Sequence, residues 1–102
     1  MEIYTKTYNT PNGPVEGIQT KWASFNILLV AGSRAFLACP AIDVEACAGY
    51  DAAAAIVESS PENPIGTLER FPNRRITKAN AQARALGIRE GMQVTDAFAL
   101  IA

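Results

Sequence analysis

Residues 25–43 read FNILLVAGSRAFLACPAID. Two apolar runs flank a Gly32-Ser33-Arg34 break, and the second run closes on Cys39, Pro40 and, three residues later, Asp43. Successive side chains of a strand point to opposite faces. Phe25, Ile27, Leu29 and Ala31 therefore share one face of a strand over 25–31, with Leu28 and Val30 on the other. A strand apolar on both faces is expected to be covered on both. The cover is either the chain's own helices or a neighbouring subunit, and a chain of 102 residues has few elements for both faces, which favours the subunit. Gly32-Ser33 carries the signal of a two-residue type II′ turn, so 35–39 is expected to return beside the first run. Pro40 ends that pairing because it has no N–H to give a ladder. Asp43 then caps a short helix over 44–48, with Glu45 in its first turn, where the dipole favours an acid, and Gly49 at its end.

Upstream, residues 2–8 alternate in strand-favouring types, and 15–22 alternate with a polar residue at every second place. Thr10-Pro11-Asn12-Gly13-Pro14 between them is a turn with positive φ expected at Asn12 and Gly13, so the chain opens on a half-exposed hairpin. Downstream, 52–57 (AAAAIV) follows a glycine stop and precedes Ser59-Ser60-Pro61, which reads as a buried strand of small side chains despite alanine's helix preference. Asn63-Pro64 has the form of a cap and first-position proline, predicting a helix with Ile65, Leu68 and Phe71 on its face and Pro72 at its end. Residues 73–76 (NRRI) read as a short edge strand guarded by Arg74 and Arg75. Thr77 is expected to cap a helix over 78–86, closed by Gly87 with Ile88 beyond. After Gly91, the stripe Val94, Ala97, Phe98, Ile101 predicts a last amphipathic helix. Strands followed by helices point to an α+β fold, a mainly antiparallel sheet of about five to six strands with short helices packed on it.

The totals bound the function more firmly than any motif. The length fits one domain spanning 1–102. A net charge of −1 with scattered Lys and Arg gives no footprint for nucleic acid and little self-repulsion against association. No apolar run approaches the ~18 residues that cross a bilayer, and the N-terminus MEIYTKTYNT lacks the pattern of a signal peptide. The expected location is the cytoplasm, with Cys39 and Cys47 as thiols. There is no histidine, which removes the usual Ser-His-Asp and Cys-His nucleophiles. Two cysteines without histidine also fall short of the common zinc sites. Neither a P-loop nor a GxGxxG stretch is present. No metal and no cofactor are expected.

Three passages resemble a known family. Asn26-Ile27-Leu28-Leu29-Val30 is similar to the leucine-valine strand of the YunC-like family, short bacterial and archaeal proteins classed as a domain of unknown function. Ala38-Cys39-Pro40-Ala41-Ile42-Asp43 is similar to its strand-end Cys-Gly segment, and 85–92 (ALGIREGM), with Ala97 after it, to its closing LGIKxGM…A pattern. The likeness spans roughly 13–102 and leaves 1–12, the first strand and turn, outside. Two positions depart from it: Pro40 replaces the glycine after the cysteine, and Val57-Glu58-Ser59 replaces a glycine-valine-basic stretch. The resemblance implies a compact α+β fold and no established activity. Any family function carried by those two positions is lost or altered here.

Candidate chemistry is sparse. Cys39 precedes a helix N-terminus, where a thiolate gains stability, yet free cysteine is among the most buried residue types and no histidine can serve as its base. Asp43, Glu45 and Asp51 offer oxygens to a divalent cation, but capping accounts for Asp43 and solvated first-turn and turn positions for Glu45 and Asp51, which is the favoured account. Arg74 and Arg75, with Arg70 and Lys78 nearby, are the only basic cluster and the candidate contact for a phosphate or carboxylate. Edge protection and ordinary solvated charge are the favoured account, since two adjacent arginines of a strand point to opposite faces. The leading expectation is a non-catalytic, cytoplasmic, homo-oligomeric module with a structural, ligand-binding or regulatory task and an unknown small-molecule ligand. The alternative is a small enzyme with a thiol or carboxylate site at Cys39 and Asp43 on a subunit interface.

Overall fold

A computed structural model describes residues 1–102. Six strands form one sheet in chain order: β1 (Glu2–Thr10), β2 (Gly13–Trp22), β3 (Phe25–Ala31), β4 (Phe36–Ala38), β5 (Ala54–Val57) and β6 (Ile76–Ala79). Every neighbouring pair is antiparallel except β4 and β5, which run parallel. The helices are α1 (Val44–Ala48), α2 (Ala81–Ala85) and α3 (Val94–Ile101), with a 3-10 turn at Phe71–Asn73. The architecture is the expected α+β, a mainly antiparallel sheet with short helices packed on it. No helix is long and apolar enough to cross a membrane.

The alternation in the sequence decides which face is buried. Val15, Gly17 and Gln19 of β2, with Leu28 and Val30 of β3, point inward and are buried. Leu37 of β4 and Ala55 and Val57 of β5 continue that inner face. Against it pack Ile65, Leu68 and Phe71, then Ala83, Ile88 and the α3 stripe Val94, Ala97, Phe98 and Ile101. Each fully buried large side chain stabilises by roughly 1.5–3 kcal/mol, so α3 is held by its stripe more than by its own propensity. α1 lies on the other face, where Val44 meets Ala54 and Ile56 with Phe36 and Cys47 alongside. Asp43 caps it as its sequence requires, Oδ1 accepting from Glu45 N at 3.0 Å and Ala46 N at 3.1 Å.

Five local expectations are corrected. The helix from Asn63-Pro64 does not form. Gly66 takes φ +73°, outside any right-handed helix, and the local bonds reach only two or three residues back, as in Thr67 N to Ile65 O and Arg70 N to Thr67 O. Ile65, Leu68 and Phe71 are nevertheless all buried, so their spacing reports burial of a loop, and Pro72 lies inside the 3-10 turn. The short strand comes later than 73–76: β6 is Ile76–Ala79, and Arg75 makes only an isolated bridge to Gln93. Thr77 is therefore a strand residue. Asn80 caps the shorter α2, whose end keeps the expected form, Ile88 N bonding Ala83 O and Gly87 N bonding Arg84 O. In the first hairpin, Thr10 pairs with Gly13, so Pro11 and Asn12 occupy the turn and Asn12 has no positive φ. Finally, Ala31 pairs with Phe36, leaving a four-residue loop at 32–35 in place of a two-residue turn.

One edge contact has a pH signature. Tyr8 Oη donates to Leu68 O, and the ring packs on Phe98 with centroids 4.8 Å apart. Burial, and then the charge of Glu69, push its phenol up from 10.0 to about 12. An acid whose pKa is raised on folding contributes stability that is intact below its unfolded pKa and lost as pH rises through the folded one. Alkaline loosening of β1 is thus expected between pH 10 and about 12. An ultraviolet tyrosinate titration should show a phenol ionising at about 12 that Tyr8→Phe removes; a Tyr8 titrating near 10 would contradict this.

Candidate functional site

The parallel pair β4 and β5 ends at one side of the sheet, and the chain leaves both strands there through Cys39-Pro40 and Glu58-Ser59. Between these exits lies a polar cleft of about 180 Å³, lined by Pro40, Glu58, Ser59, Ser60, Asn63, Arg74 and Thr77. Pro40 and Thr77 also wall a neighbouring cavity of about 280 Å³ containing Asp43 and Lys78. The crevice outside the carboxyl ends of parallel strands is a recurrent place for ligands.

Arg74 dominates the first cleft. It is only 9% exposed. Nη1 donates to Asn63 O at 2.7 Å, and Nη2 to Pro64 O at 2.7 Å and Asn63 Oδ1 at 3.2 Å. All three acceptors are neutral. The structure's ion pair lies elsewhere, between Arg84 and Glu90 at 3.1 Å, both exposed. Arg74 is thus a desolvated cation without a carboxylate, and burial of such a charge is costly unless hydrogen bonds or a counter-charge offset it. The three bonds also pin residues 63–64 over the core, which makes Arg74 part of the loop's architecture. Arg75 goes the other way: it is exposed, and its Nη1 reaches Gly91 O at 2.7 Å. The two adjacent arginines do not act on one ligand together.

Glu58 is half-buried on the same cleft. One of its oxygens accepts from Arg75 N at 3.2 Å, and its own N–H bonds Arg75 O at 2.9 Å. Ser59 Oγ accepts from Ile65 N at 3.0 Å and Ser60 Oγ from Asn63 N at 3.1 Å. A hydroxyl that accepts a backbone N–H keeps its own proton to donate.

Cys39 is 6% exposed and belongs to the main core cluster; Pro40, its neighbour, lines the cleft instead. Its backbone N–H bonds Leu28 O at 3.0 Å. Cys47 sits partly buried on α1 itself and is unpaired. Asp43 uses one oxygen on the α1 cap. Asp43, Glu45 and Asp51 do not come together as a group that could hold a metal ion.

Comparison with known proteins supplies the family. A model of the domain of unknown function DUF1805 matches residues 38–101, more than half of the chain. The chain belongs to the DUF1805 family. The YunC-like resemblance is consistent with that membership, although the match begins at 38 rather than near 13. No curated protein matches this chain. Its fold is similar to the crystal structure of a protein of unknown function, TA1206, from Thermoplasma acidophilum, with TM-score 0.83 and 14% identity over 99% of this chain and 94% of that one. At that identity the likeness concerns the fold. Every residue lining the Arg74 cleft falls within the DUF1805 match, whereas β1, β2 and β3 lie before it.

Those three strands carry the second notable surface of this DUF1805 chain. Ile3 of β1, Ile18 and Trp22 of β2, and Phe25 of β3 lie on the face opposite the core, by their register Ile3↔Thr20, Ile18↔Leu29 and Trp22↔Phe25. They are 54%, 39%, 63% and 60% exposed. Ile27 and Leu29 between them are half-buried. The doubly apolar β3 is therefore covered on one face by its own chain and left open on the other. Alternation alone picks out these residues. It does not tell Arg74 from Arg75, because only the wrapping of 59–65 buries one and frees the other.

Proposed function

We propose that this DUF1805 protein is a non-catalytic cytoplasmic module that works as a homo-oligomer, a second copy covering the open face of β1–β3. The supporting observation is the exposed row Ile3, Ile18, Trp22 and Phe25. Fully buried aromatic side chains bury on the order of 150–250 Å² each. These four residues, two of them isoleucines, are 39–63% exposed, so with the half-buried Ile27 and Leu29 they offer roughly 500 Å² per copy. Doubled across a two-fold axis this gives about 1,000 Å², the lower end of what a specific interface buries. The face is nearly free of charge; Glu16 is its acid on β2, held at 2.8 Å by Thr7 Oγ1. A net charge of −1 sets little repulsion between copies. Sheets packing face to face in this way bury their apolar rows in a common core. The cytoplasmic assignment is supported by two thiols that stay unpaired. The non-catalytic reading is supported by the burial of Cys39 in the core and by the use of Asp43 as a helix cap.

Light scattering at micromolar concentration should give at least twice the 10.9 kDa chain mass. Trp22→Glu, which places a charge within the apolar row, should return it to a monomer with an unchanged circular dichroism spectrum. A wild-type monomer at that concentration refutes the assignment.

A further inference from the structure

We propose that the cleft at the ends of β4 and β5 binds a small zwitterion, a free α-amino acid of short side chain, with its carboxylate on Arg74 and its ammonium on Glu58. Three observations carry it. The first is the charge pattern. A buried guanidinium and a half-buried carboxylate line one cavity, yet they form no ion pair with each other. The fold keeps these opposite charges apart by giving each its own partners: Asn63 and Pro64 oxygens for Arg74, the Arg75 backbone N–H for Glu58. A ligand carrying both charges satisfies both walls, whereas a simple anion would meet Glu58 and a simple cation would meet Arg74.

The second is donor capacity. The three hydrogen bonds of Arg74 leave its Nε–H and one Nη1–H without a protein acceptor. The hydroxyl protons of Ser59 and Ser60 are free as well, since both oxygens already accept backbone N–H groups. A carboxylate can take several such bonds, and those to a guanidinium are the strong, charge-assisted kind. On the Glu58 side, one carboxylate oxygen remains open to an ammonium.

The third is size and lining. The cavity of about 180 Å³ holds roughly six waters' volume and has no large apolar wall. Its own lining has room for the charged head of an amino acid and a short side chain and offers no apolar wall to an aromatic or long aliphatic one; Ile42, Val44 and Ile56 line the neighbouring cavity instead. The site is separate from the open face of β1–β3 and does not require a second copy.

An amide NMR titration of the full chain tests this, using L-alanine, glycine, acetate, methylamine and inorganic phosphate as probes. Alanine or glycine at millimolar concentration should shift the Ser59, Ser60 and Thr77 amides saturably, with acetate and methylamine each weaker. Glu58→Gln should weaken alanine roughly ten- to a hundred-fold, the cost of one charge-assisted bond, and leave acetate unchanged or tighter. Arg74→Lys should weaken both. Because Arg74 also holds the loop, Glu58→Gln is the deciding variant. The proposal is overturned by the lack of any saturable shift with either amino acid, or by acetate or phosphate binding as well as alanine with no effect of Glu58→Gln. The same titration on Trp22→Glu should give the same result, so it stands or fails apart from self-association.

Discussion

Replacing Asn80 with alanine is expected to lower the stability of the fold by about 4 kcal/mol and its Tm by roughly 20 °C. Asn80 is 1% exposed, and its amide is fully used. Oδ1 accepts from Ala83 N at 3.0 Å and Ala54 N at 3.2 Å, while Nδ2 donates to Ala52 O at 2.8 Å and Val44 O at 3.0 Å. One side chain therefore caps α2 and ties it to α1 and to the start of β5. Loss of the cap costs about 1 kcal/mol. The remainder comes from backbone groups left dry and unpaired at roughly 1–3 kcal/mol each, partly relieved where the cavity admits water. A total of that size is a large fraction of the about 5–15 kcal/mol that holds such a domain together. Asn80→Asp separates the two halves of the effect. It keeps the acceptors but sets a carboxylate against the Ala52 and Val44 carbonyls, which raises its pKa on folding. Its stability should then fall as pH rises through that raised value and recover in acid. Thermal unfolding of the two variants across pH is the measurement; a loss for Asn80→Ala under about 1 kcal/mol would show that water replaces the amide at little cost.

What the residues declare in advance divides along a physical line. β1 to β5 follow from alternation and turn residues, α1 from Asp43, and α3 from its stripe, because each signal is local to the element it makes. Residues 59–80 do not obey their local signals. Ile65, Leu68 and Phe71 have helical spacing, but the chain meets the core as a loop turned at Gly66. Arg74 pins that loop from downstream, binding oxygens of Asn63 and Pro64. Thr77 and Asn80 are both good cap residues, and the chain uses Asn80. Its amide finds Ala52, Ala54 and Val44 on neighbouring elements, partners no local pattern announces. The same long-range wrapping separates the two arginines, burying Arg74 and leaving Arg75 in solvent. Cys39 shows the reverse case. A strand-end cysteine before a capped helix has a suggestive local context, and only the packing of Leu28, Leu37 and their neighbours places it within the core.

Gly32→Ala is the other substitution with a large expected effect, about 3 kcal/mol or more of lost stability from overpacking against a backbone that has no room to give. A Cβ at residue 32 would lie 2.1 Å from Ile101 O, 2.5 Å from Ile101 C and 2.9 Å from Ala102 N. These are main-chain atoms at the end of α3 and cannot swing aside as a side-chain tip would. The loop after β3 grips the same helix end, with Arg34 N donating to Ile101 O at 2.9 Å and Ser33 Oγ to Ala102 O at 2.8 Å. Carbonyls in the last turn of a helix lack intrahelical partners, so this loop is the C-terminal cap of α3. A type II′ turn and the observed contact predict different things. A turn glycine is needed for its positive φ, and asparagine partly replaces it. Gly32 has no positive φ, and its role is the missing side chain, so Gly32→Asn should be at least as damaging as Gly32→Ala. Ser33→Ala, which removes one exposed hydrogen bond, should cost no more than about 1 kcal/mol. Urea unfolding ranks the three, and hydrogen exchange at Arg34 and Ala102 locates the damage. A Gly32→Asn variant more stable than Gly32→Ala would return the residue to the role of an ordinary turn glycine and free α3 from the loop that the structure places against it.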